Sequence, residues 1–204
     1  IWMPTIDTAH AVRIPSPTVE EIVITTPHIP GLELHLPPQT VITDHDGSVV
    51  REISITPIPV DQPPFPLPSG VQVPIYFTIQ PGGAYVAVHA YGTARKGAWL
   101  VYPNYANRPV GTEHHFWQYD PEEKGWHVYG LGRVLPGGRQ VLPNPEVALY
   151  ELTGAMMDDG QNPGDEACNG PKDGDPVDLS TGEFVMEKAD LVVQDVLPLT
   201  LVRT

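Results

Sequence analysis

The stretch "TEHHFWQYDPEEKGWHVYGLGRVL", residues 112–135, decides the fold. Two runs rich in aromatic and β-branched residues flank "DPEEKG" (120–125). In that segment Pro presets φ, Asp bonds nearby backbone and Gly accepts a left-handed conformation. The expectation is an antiparallel hairpin, 112–119 against 126–135. Upstream, similar runs recur between turn signals. "EIVITT" (21–26) is closed by Pro27 and Pro30. "LELHLPPQTVIT" (32–43) alternates, with Leu32, Leu34 and Leu36 on one face and Glu33 and His35 on the other. After the turn residues "DHDG" (44–47) comes "VVREISITPIPV" (49–60), then a Pro-rich corner (61–70) that lacks the N–H donors of a central strand. "VQVPIYFTIQ" (71–80), "AYVAVHAYG" (84–92) and "AWLVYPN" (98–104) follow; downstream of the hairpin lie "RQVLP" and "EVALYELT" (146–153). About nine short strands between residues 21 and 153, with turn signals every 8–12 residues, spell an all-β sandwich. Residues 1–20 hold three prolines and no sustained period, and read as an extended lead-in with material for an edge strand.

Composition narrows the function classes. The 204 residues include 25 Pro and 19 Gly, with 41% hydrophobic and 18% charged residues, which suits short strands joined by turns. The net charge of −14 argues against nucleic acid, whose phosphates require Lys and Arg, and against an anionic membrane surface. No apolar run approaches the ~20 residues that span a bilayer, so membrane insertion is not expected. Cys168 is the one cysteine, which excludes an internal disulfide. The chain starts at Ile1 without a basic-then-apolar leader, as a fragment of a longer polypeptide does.

The charge is uneven. Residues 1–154 carry 14 acids and 8 bases, net −6; residues 155–204 carry 11 acids and 3 bases, net −8. "GAMMDDGQNPGDEACNGPKDG" (154–174) has the composition of an acidic flexible linker. From 175 to 204 strand patterns return. "VDLSTGEFVMEK" has a Thr-Gly turn between short runs, and "LVVQDVLPLTLVR" supplies two more. Three or four strands with open edges are marginal alone.

Each candidate site has a bland alternative. His114 and His115 are neighbours on a strand, so they point to opposite faces and do not share a metal unaided; no metal site is expected. Asp158, Asp159, Asp165, Glu166, Asp173, Asp175 and Asp178 offer calcium-type oxygens, but without EF-hand spacing, and a solvated linker is the preferred reading. Cys168 lies among carboxylates, which disfavour its thiolate. With no nucleophile elbow and no phosphate-cradling loop, the reading assigns no catalytic residue and no cofactor. Aromatic residues crowd between Trp99 and Tyr129. Trp99, Tyr102, Tyr105, Trp117 and Trp126 are candidate stacking platforms for sugars, against the preferred alternative of cross-strand packing.

Two segments resemble known families. "GLELHLPPQTVITDHDGSVVREISITPI", "IYFTIQPGGAYV", "YPN" and "FWQYDPEEKGWHVYGLGRV", within residues 21–153, resemble a bacterial relative of the ZU5 domain, a β-sandwich that opens L-x-L-x-x-P-P-G-T-V; Gln39 stands where that opening has Gly. Some ZU5 domains cut their own backbone at His-Phe-Ser. Here His115-Phe116 is followed by Trp117, which has no nucleophile, so self-cleavage is not expected there. Residues 169–204 resemble the opening segment of RHS-repeat (Tyr-Asp repeat) proteins through Asp175-Pro176-Val177-Asp178, Thr181-Gly182, Asp190, Pro198 and Arg203. RHS shells are cages that hold a C-terminal passenger, often a toxin. The resemblance therefore implies a secreted or cell-surface bacterial protein of the polymorphic-toxin kind. Its sandwich would be a structural or adhesive, non-catalytic module, and the rest of the same polypeptide its main partner. Secretion machinery and cell-surface glycans are further candidate partners. A carbohydrate-binding sandwich and a self-processing RHS segment remain the alternatives.

Overall fold

The computed structural model describes residues 4–62, 64, 67–68, 71–89, 95–122 and 124–160, and the backbone of 188–193 and 199–203. The chain divides into two compact units, Ile1–Gly164 and Asp165–Thr204. Every regular element among the described residues is a β-strand.

In the first unit the strands are β1 (Val12–Arg13), β2 (Ile22–Thr25), β3 (Glu33–Leu36), β4 (Thr40–Thr43), β5 (Glu52–Pro57), β6 (Ile75–Gln80), β7 (Ala84–Val88), β8 (Trp99–Pro103), β9 (Glu113–Asp120), β10 (Gly125–Val134), β11 (Gln140–Pro143), β12 (Glu151–Leu152) and β13 (Gly154–Met157). Ten of them form one antiparallel sheet in the order β1-β5-β6-β13-β9-β10-β11-β8-β3-β2, and β12-β7-β4 form a second. One apolar cluster takes Leu34, Leu36, Ile55, Phe77, Ile79 and Phe116 from the large sheet and Ile42, Ala84, Val86 and Leu152 from the small one. Two sheets sharing one core make a sandwich. At about 1.5–3 kcal/mol for each fully buried aliphatic or aromatic side chain, this shared cluster is the main stabilising contribution.

The hairpin expected from residues 112–135 is β9–β10, paired from Gly125↔Asp120 to Arg133↔Glu113. Asp120 Oδ1 accepts the Glu122 N–H at 2.9 Å, the local bond that makes Asp-Pro a turn former. Gly132 lets Phe116 of β9 press onto the β10 backbone; a Cβ there would meet the ring's Cζ and lie 2.8 Å from the Leu142 carbonyl oxygen.

Two runs differ from the sequence reading. The run 32–43 is two strands in different sheets, β3 and β4, because Pro37 and Pro38 lack N–H donors and Gln39 turns the chain with φ 62°. The run 146–153 pairs as a strand only at Glu151–Leu152, with an isolated bridge Ala98↔Leu149 before it. Among the described residues between 21 and 153, eleven strands stand where about nine are expected.

The largest correction concerns residues 154–157, assigned to the linker. They form β13, deep in the large sheet between β6 and β9. Ala155 and Met157 face the shared core, while Met156 packs on the opposite face with Ile58 and Tyr76. A strand buried on both faces shows no polar alternation, so "AMM" carries no period to read.

The lead-in also belongs to the sandwich. β1 pairs with β5 at Val12↔Ile53 and Arg13↔Glu52. The Thr18 hydroxyl, wholly buried, donates to the Pro37 carbonyl at 2.6 Å and accepts the Thr40 N–H at 2.8 Å. Those bonds satisfy groups that Pro37 and Pro38 leave outside any ladder.

In the second unit, β14 (Lys188–Val193) and β15 (Leu199–Arg203) pair antiparallel. The register shifts between Ala189 and Leu191, placing Asp190 at a bulge.

Candidate functional site

Three constellations emerge, and the first lies where β13 ends beside β9. The ladder continues one step beyond Met157, the Asp158 N–H donating to the His115 carbonyl at 3.3 Å. The Asp158 carboxylate then accepts three times: from the His115 N–H at 3.1 Å, from His115 Nδ1 at 2.7 Å and from the Gly160 N–H at 3.2 Å. His114, on the opposite face of β9 and fully buried, lies with Nδ1 3.1 Å from the Asp158 carbonyl oxygen and 3.6 Å from Oδ1. Because those partners only accept, Nδ1 carries the proton. Its Nε2 has no hydrogen-bond partner among the described residues. Alternation does separate the two rings as expected, and Asp158 still reaches both from the strand end.

Burial pushes the Asp158 carboxyl up, but the hydrogen bonds from His114 and His115, with the charge of His115, outweigh it and hold the group at about 2. Next to it Arg108 donates to the Asp159 carbonyl oxygen at 2.7 Å and to Oδ2 at 2.9 Å. Two of the acids read as linker are thus fixed to the sandwich by specific partners. Gly160, at φ 71°, passes so near His114 that a Cβ would lie 2.5 Å from the ring's Cε1. This is a clasp on the end of β13: every group in it is a hydrogen-bond or ion-pair partner of another.

The aromatic candidates do not converge. Tyr102 is fully buried in the shared core, tilted against Phe77 and Phe116, and offers no face to a ligand; burial pushes its hydroxyl well above the usual range. This corrects its place among the stacking candidates, and the reason is alternation: Leu100 and Tyr102 both point inward from β8. Trp117 and Trp126 pack with Leu67 and Val73 against Ile58, Tyr76 and Met156. Trp126 meets Tyr76 and Tyr119 edge-on, and both indole nitrogens are buried. Trp99 stacks on His35 at 4.9 Å between centroids, and the Arg95 guanidinium lies 5.0 Å from its ring centre. Arg95 also donates to the carbonyls of Pro143, Asn144 and Val147, so its position over Trp99 is fixed. Tyr105 alone of the five is largely exposed.

The third constellation escaped the sequence reading, which assigned no metal ligands. Asp7, His10 and His28 bring a carboxylate oxygen and two imidazole nitrogens within 4.8 Å of one another. Asp7 Oδ2 lies 2.8 Å from His10 Nδ1 and 3.3 Å from His28 Nε2. The local signal was Asp-x-x-His in "DTAH" (7–10); His28, on a distant segment, became its neighbour only through the fold.

Of the opening motif carried by residues 175–204, Asp190 and Arg203 lie on the described backbone of β14 and β15, with Arg203 paired to Lys188. Asp175, Pro176, Val177, Asp178, Thr181, Gly182 and Pro198 lie outside the described residues, as do Asp165, Glu166, Cys168 and Asp173. A family model described as "Domain of unknown function (DUF6531)" matches residues 174–204, and this domain is associated with RHS-type proteins. No curated protein and no solved structure matches the chain.

Proposed function

We propose that the sandwich is a non-catalytic structural or adhesive module at the front of an RHS-repeat protein, followed in sequence by the first strands of its shell. The observation that carries this reading is the family match at residues 174–204, next in sequence after the sandwich. The β14–β15 pair supports it: among the described residues no third strand joins this pair, and two strands alone are marginal in water. The protein would then be secreted or displayed on a bacterial surface, with a C-terminal passenger, toxin-like by analogy with RHS proteins, as cargo of the shell.

The finer, ZU5-like reading of the sandwich draws support from Gln39. It adopts φ 62°, a left-handed conformation, at the position where the ZU5 opening has Gly. Self-cleavage is not part of the proposal. His115-Phe116-Trp117 lies within the β9–β10 ladder, whose register shifts opposite Phe116 and Trp117, and an indole cannot attack the preceding carbonyl.

Peptide-mapping mass spectrometry of the parent polypeptide from its native source tests the proposal. Contiguous peptides running past Thr204 into Tyr-Asp repeats are expected. A native polypeptide that ends uncut at Thr204 would leave the opening strands without a shell and overturn it.

A further inference from the structure

The Asp7–His10–His28 cluster joins two segments that are separate in sequence. Asp7 and His10 sit on the lead-in before β1, and His28 on the connection between β2 and β3. Each is held from behind. The Asp7 N–H donates to Thr56 Oγ1 on β5 at 2.9 Å. The His10 N–H donates to Asp7 Oδ1 at 3.3 Å, leaving Oδ2 directed at both rings. The His28 N–H donates to Thr26 Oγ1 at 3.3 Å, between the buried residues Thr26 and Ile29.

The rings meet edge to face, 5.1 Å between centroids. On a tetrahedral Zn²⁺ with ligands at about 2.0–2.1 Å, neighbouring ligand atoms stand about 3.3 Å apart. The His28–Asp7 separation of 3.3 Å matches that value and the His10–Asp7 separation of 2.8 Å is shorter, so small side-chain rotations suffice. Both imidazoles are about half-exposed, and among the described residues no hydrogen bond holds His10 Nε2 or His28 Nδ1. A tautomer shift therefore frees the two inward lone pairs without loss of a bond elsewhere. Asp7 pairs with no Lys or Arg among the described residues, so a cation there competes with no fixed positive group.

We infer that Asp7, His10 and His28 form a binding site for one Zn²⁺-class transition-metal ion, which staples the lead-in to the β2–β3 connection. Two nitrogens and one oxygen select a late first-row divalent ion over Ca²⁺ or Mg²⁺, which require oxygen ligands in greater number. The ion keeps an open position for water. Its effect on the fold is to cross-link residues on either side of the weakly paired two-residue strand β1, where a constraint acts on the segment most prone to fraying.

The test is isothermal titration calorimetry of metal-free chain with ZnCl₂, together with thermal unfolding. One ion per chain and a rise in Tm at micromolar Zn²⁺ are expected, with no rise from Mg²⁺ or Ca²⁺ at the same concentration. His10→Ala and His28→Ala should each weaken binding at least about tenfold, while the metal-free variants unfold within a few degrees of the parent, because both side chains are half-exposed. His45→Ala, at an exposed turn, should bind as the parent does. Zn²⁺ affinity unchanged in both His10→Ala and His28→Ala, or no binding by a folded parent chain, overturns the site.

Discussion

Replacing Asp158 by Asn removes one charge from the clasp and keeps its shape. Asn still offers Oδ1 to the His115 and Gly160 N–H groups, so the loss is mainly that of the carboxylate with its imidazole partners. A carboxyl held at about 2, against an ordinary 3.8, corresponds to about 2 kcal/mol of native-state stability. Because the folded value is the lower one, that contribution is complete above about pH 4 and disappears as pH falls through about 2. Urea unfolding of both chains, followed by tryptophan fluorescence, reads the difference directly. Trp117 adjoins His115 and reports on this end of the sheet. The parent should exceed Asp158→Asn by about 2 kcal/mol at pH 7 and by about 1 kcal/mol at pH 3. Subtraction removes the acid sensitivity that the two chains share. A difference below about 0.5 kcal/mol at pH 7, or one that does not shrink with acid, would refute the assignment of Asp158 as the charged centre of the clasp.

Two further outcomes rest on the strand positions. Met157→Ala should cost about 2–5 kcal/mol in the same urea assay, the range for truncating a buried aliphatic side chain, whereas a linker residue would give nearly nothing. Gln39→Gly should raise stability by about 0.5–1 kcal/mol: relief of the left-handed backbone outweighs the added freedom of the unfolded chain, and thermal unfolding reads the sign.

Part of the first unit was legible because β3, β4, β7 and β11 each bury one face. Leu32, Leu34 and Leu36 against Glu33 and His35 is a pattern that only a half-buried strand leaves, and the structure places the three leucines in the core. "DPEEKG" named its turn through the local chemistry of Asp120 and Gly125. Sheet membership was not legible. The β3 and β4 runs carry the same period, and only the geometry of Pro37-Pro38-Gln39 sends them to different sheets. β13 was hidden because each of its faces is covered, which erases the alternation, and because Gly154 and Asp158 bound it with residues typical of linkers. Among the candidate sites, the aromatic set failed as a set. Strand alternation sent Tyr102 into the shared core and Trp117 to the opposite face of the large sheet, against Met156, and no spacing in the sequence says which tryptophans share a surface. The Asp7–His10–His28 cluster needed two connections folded onto each other before its residues could be neighbours.

Hydrogen–deuterium exchange mass spectrometry, comparing this 204-residue chain with a longer stretch of its parent polypeptide, tests the central claim most directly. If β14 and β15 open a larger sheet, amides of 188–203 should exchange quickly in the short chain and become protected in the longer one, while those of 155–157 stay slow in both. Equal protection of 188–203 in the two chains would contradict the account, since the strands would then owe nothing to residues beyond Thr204.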